Sequence, residues 1–414
     1  MMSDRVSLKE KLVSYNIKVN IINGVFAAIA FNLVNPYLAK FAERLGATDY
    51  QIAYLTSFPY FVSIFAYIPG AILIESLSNK KKTTGTIMFI HKLFYLLLAI
   101  LPFLKGVNQA SLFITIIGLM NLPGAMATMG YQSSIGDVFS IEDRGNAMGL
   151  RNKYSTIFAL AITFISGQLL TYIPKTNEGS IRLYQIFFFF AFIFSLAEVI
   201  SFFKFRGMKR KKKSTRYIDS LKATFKNLPK EKNYLIFTLI SAFFYIGWMG
   251  AQPLFNIYTI KVLGANEFWL SAITISSSLS SILSFTKWAK FADKKGNNFA
   301  LGIALMGMAI TPIFYVLSKN IFMLVLFNII IGIAVAGTNL ILFNMLLEVT
   351  PSINRTIYIA IYNTLTAIVS AIAPIMGVAI KDMTSIAIAL IIIAIFRFIA
   401  SFMFIARGLV RENN

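Results

Sequence analysis

Stretches of about 20 apolar residues recur almost without pause along this chain, and nothing else in the sequence limits its fold so tightly. A helix rising ~1.5 Å per residue needs roughly 20 residues to cross a ~30 Å hydrocarbon core. Such stretches occupy 20–43, 51–74, 84–104, 109–132, 153–173 and 183–205. A second set occupies 233–260, 268–289, 299–318, 321–346, 356–380 and 384–406. Hydrocarbon offers no hydrogen-bond partner, so each stretch must satisfy its own backbone as a helix. The expected fold class is an all-α membrane protein with twelve transmembrane helices. Composition agrees, because the 414 residues are 57% hydrophobic and only 14% charged, where a soluble domain carries roughly 25% charged residues.

Charge then sets topology. Lys and Arg number 39 against 17 Asp and Glu, a formal net charge of +22. In a soluble protein that excess points to nucleic acid. Here the basic residues gather in alternate loops, as membrane topology requires, and no nucleic-acid partner is expected. One side carries Lys80, Lys81 and Lys82, Arg144 and Arg151, Lys290, Lys294 and Lys295, and the run FRGMKRKKKSTR (205–216). The other side carries short, nearly balanced loops, ERLGATD (43–49), KGVNQA (105–110) and SKN (318–320). The positive-inside rule places the basic side, and with it both termini, in the cytoplasm. The polar start MMSDRVSLKEKLVSYNIK, followed by a stretch long enough to span, gives no sign of a cleavable signal peptide.

The chain has no cysteine and a single histidine, His91. Disulfides, thiolate chemistry and a metal site are therefore not expected, and neither is a cofactor. A membrane-embedded enzyme would need a nucleophile and base or a set of metal ligands, so no catalytic residues are assigned. Between the two sets of spans, Ile218, Leu221, Phe225 and Leu228 recur at three- and four-residue spacing, with Arg216, Lys222 and Lys226 between them. Two readings stand: a helix lying on an anionic leaflet, or a plain tether.

Self-comparison carries the most information. LGATDY (45–50) returns as LGANEF (263–268), an offset of 218. Thirty positions after each leucine stands a carboxylate, Glu75 and then Asp293. Asn35-Pro36 corresponds to Gln252-Pro253, and DVFSIEDR (137–144) to EVTPSINR (348–355), followed eight positions later by Asn152 and Asn363. AKFADKKGNN (289–298) is similar to the loop signature of the major facilitator superfamily, with Asn298 where the last basic residue is usual. AILIESLSNKK (71–81) is its more degenerate counterpart, with Glu75 in place of Asp and Ser78 in place of Gly. Over essentially its whole length the chain resembles that superfamily. The resemblance implies two pseudo-symmetric six-helix bundles, 1–205 and 233–414, joined by the basic cytoplasmic linker 206–232.

It also implies a central cavity lined by spans one, four, seven and ten, helped by two, five, eight and eleven. Polar residues of those spans are candidates for its lining: Asn32, Asn35, Asn121, Tyr131 and Gln168, then Trp248, Gln252, Asn339, Asn344 and Asn363. Tyr60 and Tyr67 add aromatic surface. Asn35-Pro36 and Gln252-Pro253 read either as hinges with ligand contacts or as amides that repair their own kinks. The serines of span eight (276, 277, 278, 280, 281) point to close helix packing.

Glu75, Asp137, Asp293 and Glu348, with Arg144, Arg355 and the loop glycine Gly296, are candidate gating residues that hold the cytoplasmic side closed. The alternative is that they are solvated loop charges. Spans one, four, seven and ten have no midplane carboxylate. The intramembrane ionisable residues His91, Lys92, Glu198 and Arg397 lie on spans three, six and twelve, and read either as structural pairs or as a proton-coupling group centred on Glu198. Glu198 has Lys92 or His91 as a partner, Lys92 can snorkel, and Arg397 has no carboxylate on its own helix.

The function this implies is secondary active transport of a small organic solute by alternating access. Export of amphipathic or drug-like compounds is favoured, because the candidate lining is amide and aromatic and no Pro-Glu-Ser-Pro-Arg signature of sugar importers occurs. Against export, TIFALAITFISGQLLTY (156–172) lacks the Gly-Pro pattern of the antiporter branch. The alternatives are a solute importer, a lipid or lysolipid transporter, and a non-transporting membrane sensor. Expected partners are a small-molecule substrate, a proton and membrane lipids, around a working monomer. The abundance of Lys, Ile, Asn and Phe suits an AT-rich bacterial genome, and so a bacterial cytoplasmic membrane.

Overall fold

Each apolar run closes its own backbone hydrogen bonds, and the result is helix throughout, with no strand among the described residues. The computed structural model describes residues 2–76, 79–104, 106–207, 217–351 and 355–412, with side chains described there except at 2–9, 68, 71–76, 141–142, 217–220, 356 and 408–412. The helices are α1 (Met2–Asn32), α2 (Leu38–Arg44), α3 (Asp49–Ser76), α4 (Lys80–Ile100), α5 (Gln109–Val138), α6 (Ile141–Tyr172) and α7 (Asn177–Phe203). They continue as α8 (Tyr217–Asn227), α9 (Lys232–Ile257), α10 (Glu267–Lys295), α11 (Asn297–Leu317), α12 (Ile321–Val349), α13 (Arg355–Met383) and α14 (Ile386–Glu412). Among the described residues 11 spans are long and apolar enough to cross a bilayer, α1 and α2 together forming one. The 28-residue α3 completes the twelve expected from the sequence.

Local chemistry sets the ends of these helices. Side-chain oxygens of Asn79, Asn108, Ser140, Thr176, Asn266 and Asn320 accept from backbone amides in the first turns of α4, α5, α6, α7, α10 and α12, each cap stabilising its helix by about 1 kcal/mol. The repeated Leu-Gly-Ala is a stop followed by a start. Gly46 and Gly264 take φ of 82° and 65°, a left-handed turn that a side chain would oppose. After Gly46 comes a reciprocal cap, in which the Thr48 amide donates to Gln51 Oε1 (2.9 Å) and the Gln51 amide to Thr48 Oγ1 (3.2 Å).

The two Asx/Glx-Pro positions behave differently. Pro36 follows a break at Leu33–Val34, and a 3-10 turn, Asn35–Tyr37, leads into α2. Pro253 sits inside a continuous α9, which ends in a π turn, Tyr258–Val262. Both prolines withdraw a backbone donor; the chain breaks just before one and stays helical through the other.

Contacts divide the chain into two compact units, Met1–Leu45 with Phe65–Thr215 and Gly46–Ile64 with Arg216–Asn414. Within the first, α1 packs on α6 and α7, and α4 on α5 and α7. Within the second, α9 packs on α13 and α14, and α11 on α12 and α14. These four pairings correspond one to one between the two sets. Most of the basic run falls at 208–216, outside the described residues, as do Arg216 and the Ile218 side chain. Of the remaining linker pattern, Phe225 is exposed and Leu228 packs against the second unit's core around Tyr234 and Phe237.

With lipid as solvent, helices gain by bringing backbones close through small residues. A Cβ on Gly377 of α13 would strike the Gly250 carbonyl of α9, and one on Gly332 of α12 would strike the Ser277 carbonyl of α10. Ser281 Oγ donates to the Gly332 carbonyl (2.6 Å) and Trp288 Nε1 to the Ile333 carbonyl (2.8 Å), so the serine-rich span is a packing face. Gly377→Ala is expected to destabilise the protein by about 1–3 kcal/mol through overpacking. Gly149→Ala, whose Cβ meets nothing within 4 Å, is expected to be neutral or stabilising by up to about 1 kcal/mol. Thermal unfolding in detergent reads both, and equal melting temperatures would refute the close α9–α13 crossing.

Candidate functional site

Three asparagines at i, i+4 and i+7 put one polar stripe on α1. Asn16, Asn20 and Asn23 are each at most 1% exposed. Asn16 Nδ2 donates to the Arg206 carbonyl (3.1 Å), while its Oδ1 accepts from the Arg206 amide (3.0 Å). Asn20 Nδ2 donates to the Ala147 carbonyl of α6 (3.1 Å), and its Oδ1 accepts from the Tyr131 hydroxyl of α5 (2.6 Å). Asn23 Nδ2 donates to the Glu198 carbonyl (2.9 Å) and to Ser201 Oγ (3.2 Å) of α7. The stripe ties α1 to α5, α6 and α7, where each buried bond contributes about 1 kcal/mol net.

Behind that stripe lies a cavity of about 310 Å³, lined from α1, α4, α5, α6 and α7. Its charged groups are Lys92, Glu198 and Arg151, with His91 beside them. Lys92 Nζ stands 2.8 Å from Glu198 Oε2, both side chains about nine-tenths buried. An ion pair so placed is costly to desolvate, and removing one partner strands the other at about 3–5 kcal/mol. Of the four intramembrane ionisable residues, His91, Lys92 and Glu198 therefore meet in one cavity.

Arg397 belongs to the second unit and has a different environment. It is 0% exposed and has no carboxylate partner among the described residues. Nε donates to the Gly247 carbonyl (3.0 Å), Nη2 to the Trp248 carbonyl (3.2 Å) and Nη1 to the Met308 carbonyl (2.7 Å). Met308 lies four residues before Pro312, a proline inside α11, so its carbonyl lacks the usual amide donor. The guanidinium supplies that donor and braces α9, α11 and α14 together.

The amide and aromatic candidates separate into two groups. Asn32 Nδ2 donates to its own helix at the Ala28 carbonyl (2.9 Å), and its Oδ1 accepts from Thr163 Oγ1 (3.3 Å). Asn121 Nδ2 likewise donates to the Ile117 carbonyl (3.1 Å). Trp248 sits in an aromatic cluster, its ring tilted against those of Phe244 and Tyr245 at centroid distances of 5.4 and 5.3 Å. The side-chain amides of Asn35, Gln168, Gln252, Asn339 and Asn363 have no partner among the described residues.

At the helix ends, Lys80, the first residue of α4, reaches Asp137, the penultimate residue of α5, at 2.9 Å. In the second unit Asn297, the first residue of α11, reaches Glu348, the penultimate residue of α12, at 3.0 Å. Arg144 donates to the Gly136 and Phe139 carbonyls (3.2 and 3.4 Å). Asp293 and Arg355 are exposed, without a partner among the described residues. Gly296 takes a φ of 79° between α10 and α11. Glu75 is on the last turn of α3, and its side chain is outside the described ones.

Two features escaped the sequence reading. Asp49 at the start of α3 accepts from Lys261 (2.6 Å) and Lys381 (2.8 Å), a bridge that only the fold assembles. Arg151, read from the sequence as a loop charge, lies inside α6 and lines the cavity. The Asn16-Asn20-Asn23 spacing was the signal available for the stripe, hidden because it straddles the start of the apolar run at 20.

A family model described as Major Facilitator Superfamily matches residues 21–374. No curated protein matches the chain by sequence. Among solved structures, a nucleoside transporter, NupG, is similar with a TM-score of 0.72 at 14% identity, covering 94% of this chain and 99% of that one. A bacterial homolog of the human lysosomal transporter Spinster, inward-facing, gives 0.61 at 14% identity, over 96% and 98% of the two chains. A peptide transporter of the POT family in complex with sulfate gives 0.70 at 12% identity, over 97% and 98%.

Lysine cannot reproduce the three-way fork of Arg397. Arg397→Lys is therefore expected to cost about 1–3 kcal/mol, the penalty for a stranded buried acceptor. In a Pro312→Ala background, where the Met308 carbonyl regains a helical donor, the same replacement should cost less. Thermal unfolding of the four proteins tests this, and strict additivity would sink the brace.

Proposed function

The chain belongs to the major facilitator superfamily, a family of membrane transporters rather than enzymes, and on that premise we propose that it is a secondary active transporter moving a small organic solute by alternating access. One observation carries the reading, the charged cavity lined by five helices of the first unit. Polar groups inside a membrane are expensive and are kept where they meet water, one another or a solute. A bundle that only needed to be stable would fill that volume with leucine. Structural relatives described as nucleoside and peptide transporters support a small organic solute.

In this reading Glu198 carries the coupling proton. Protonation removes its charge, breaks the 2.8 Å pair with Lys92 and leaves an ammonium to be stabilised by other groups in the cavity, His91 not among them if charged. That is a large local change of the kind that biases a two-state element. The amides without partners, Asn35, Gln168, Gln252, Asn339 and Asn363, are proposed solute contacts within their own units, and Asn32, Asn121, Tyr131 and Trp248 shape the surfaces beside them. The Lys80–Asp137 and Asn297–Glu348 contacts fasten helix ends during gating, with Arg144 and Arg355 alongside and Gly296 turning the loop. Export is the proposed direction, supported by the amide and aromatic character of these contacts, and a bacterial cytoplasmic membrane the proposed location.

The test uses proteoliposomes and a radiolabelled panel of metabolites and drugs. Glu198→Gln is expected to keep solute counterflow, which needs no driving force, and to lose pH-gradient-driven accumulation by about tenfold or more, a loss worth at least about 1.4 kcal/mol of coupling. Full accumulation by the variant would remove Glu198 from the mechanism. Absence of flux for any panel member in the wild type would remove transport itself.

A further inference from the structure

The first unit's cavity has one cation more than it has anions. Lys92 and Glu198 neutralise each other at 2.8 Å. Arg151 does not share in that pair, and among the described residues its guanidinium makes no ion pair and no hydrogen bond. Its Nε is buried with no acceptor. The side chain is nevertheless held in place. It packs against Gly24 of α1, where a Cβ would stand 2.5 Å from Arg151 Cγ, and its Cζ lies 5.0 Å from the centre of the Tyr131 ring. Tyr131 is fixed in turn by Asn20. An arginine pinned in this way, with its donors unspent, has already lost the entropy that binding would otherwise cost.

A second orphan belongs to another residue of the same lining. Asn23 is 1% exposed, and both its bonds are donated from Nδ2. Its Oδ1 is buried with no donor. A polar atom left this way costs about 1–3 kcal/mol until something meets it. On the remaining wall stand Met88, Ala127 and Met148, an apolar surface for a carbon skeleton.

We infer that this cavity binds a small organic monocarboxylate that also carries a hydroxyl or amine donor. The carboxylate pairs with Arg151, whose planar fork matches its two oxygens. The donor meets Asn23 Oδ1, and the carbon skeleton lies on the methionines. A monoanion restores neutrality, whereas a cation would add to the excess and a neutral solute would leave it. About 310 Å³ is at the small end of ligand pockets, the size of a metabolite rather than a peptide or lipid. The inference rests on the transporter reading for its purpose, and on the cavity alone for its chemistry.

The experiment measures binding, so it does not depend on flux. Full-length protein in nanodiscs is titrated with acetate, lactate, benzoate and mandelate, and with the amide of each, by calorimetry and thermal shift. At least one hydroxy acid, lactate or mandelate, is expected to bind, with its amide at least about tenfold weaker. Arg151→Met should weaken the same acid by about tenfold or more. Arg151→Lys, which keeps the charge and loses the fork, should fall between. The melting curve of each variant without probe reports whether it is folded, and a misfolded Arg151→Met leaves the decision to Arg151→Lys and the amide comparison. The inference is overturned if none of the acids binds, if acid and amide bind alike, or if the Arg151 variants bind as the wild type does. Flux of neutral or cationic solutes without Arg151-dependent binding would leave transport standing and the carboxylate site fallen. Arg151-dependent binding without flux would do the reverse.

Discussion

Hydrocarbon offers a peptide group nothing to bond to, and the architecture follows from how this chain answers that one fact. Helices satisfy almost every backbone donor and acceptor along their own length. What remains are the places where a proline has withdrawn a donor or where a side chain brings polarity into the span. Two of these show how the protein meets them from within. The broken first span turns through a 3-10 segment, Asn35–Tyr37. The Met308 carbonyl, orphaned by Pro312, is met by Arg397. With the backbone settled, apolar surface no longer drives helices together as it does in water, and close contacts such as Gly377 on Gly250 and short side-chain bonds hold each unit instead.

Seen this way, the polar interior of the first unit has two distinct layers of use. Asn16 and Asn20 have both ends of their amides engaged, as a structural bond should. Asn23 and Arg151 do not. That difference between spent and unspent hydrogen-bonding capacity separates framework from candidate site more sharply than polarity alone. Arg397 makes the point from the other side: an intramembrane arginine is an obvious functional suspect, yet all of its nitrogens are committed to carbonyls.

The sequence revealed the fold far better than the site. Span count, the repeat and the family were legible because length, hydropathy and a turn such as Leu-Gly-Ala-Thr are local properties. Pairing of Glu198 with Lys92 was within reach, since both are isolated charges in apolar helices. Arg151 was misplaced because α6 begins at Ile141, a dozen residues ahead of the apolar stretch that hydropathy marks. The polar first turns of a long helix look like loop when read one window at a time. Asp49 with Lys261 and Lys381 could not be read at all, because nothing in a one-dimensional string brings position 49 to 261 and 381. Asn32 and Asn121 looked like lining residues, and only geometry shows how much of each amide their own helices already occupy.

The helix-end contacts of the two units have a consequence for how such duplicated chains are compared. In each, the first residue of one helix reaches the penultimate residue of another. In one the partners are Lys80 and Asp137, in the other Asn297 and Glu348. The joint keeps its position and its carboxylate while its donor changes from an ammonium to an amide, so only the first gains the attraction of two opposite full charges. What was copied between the halves is a place for a fastener, and each half has since chosen its own metal for the rivet. A comparison by residue identity scores that position as a mismatch and passes over a contact the two halves have in common.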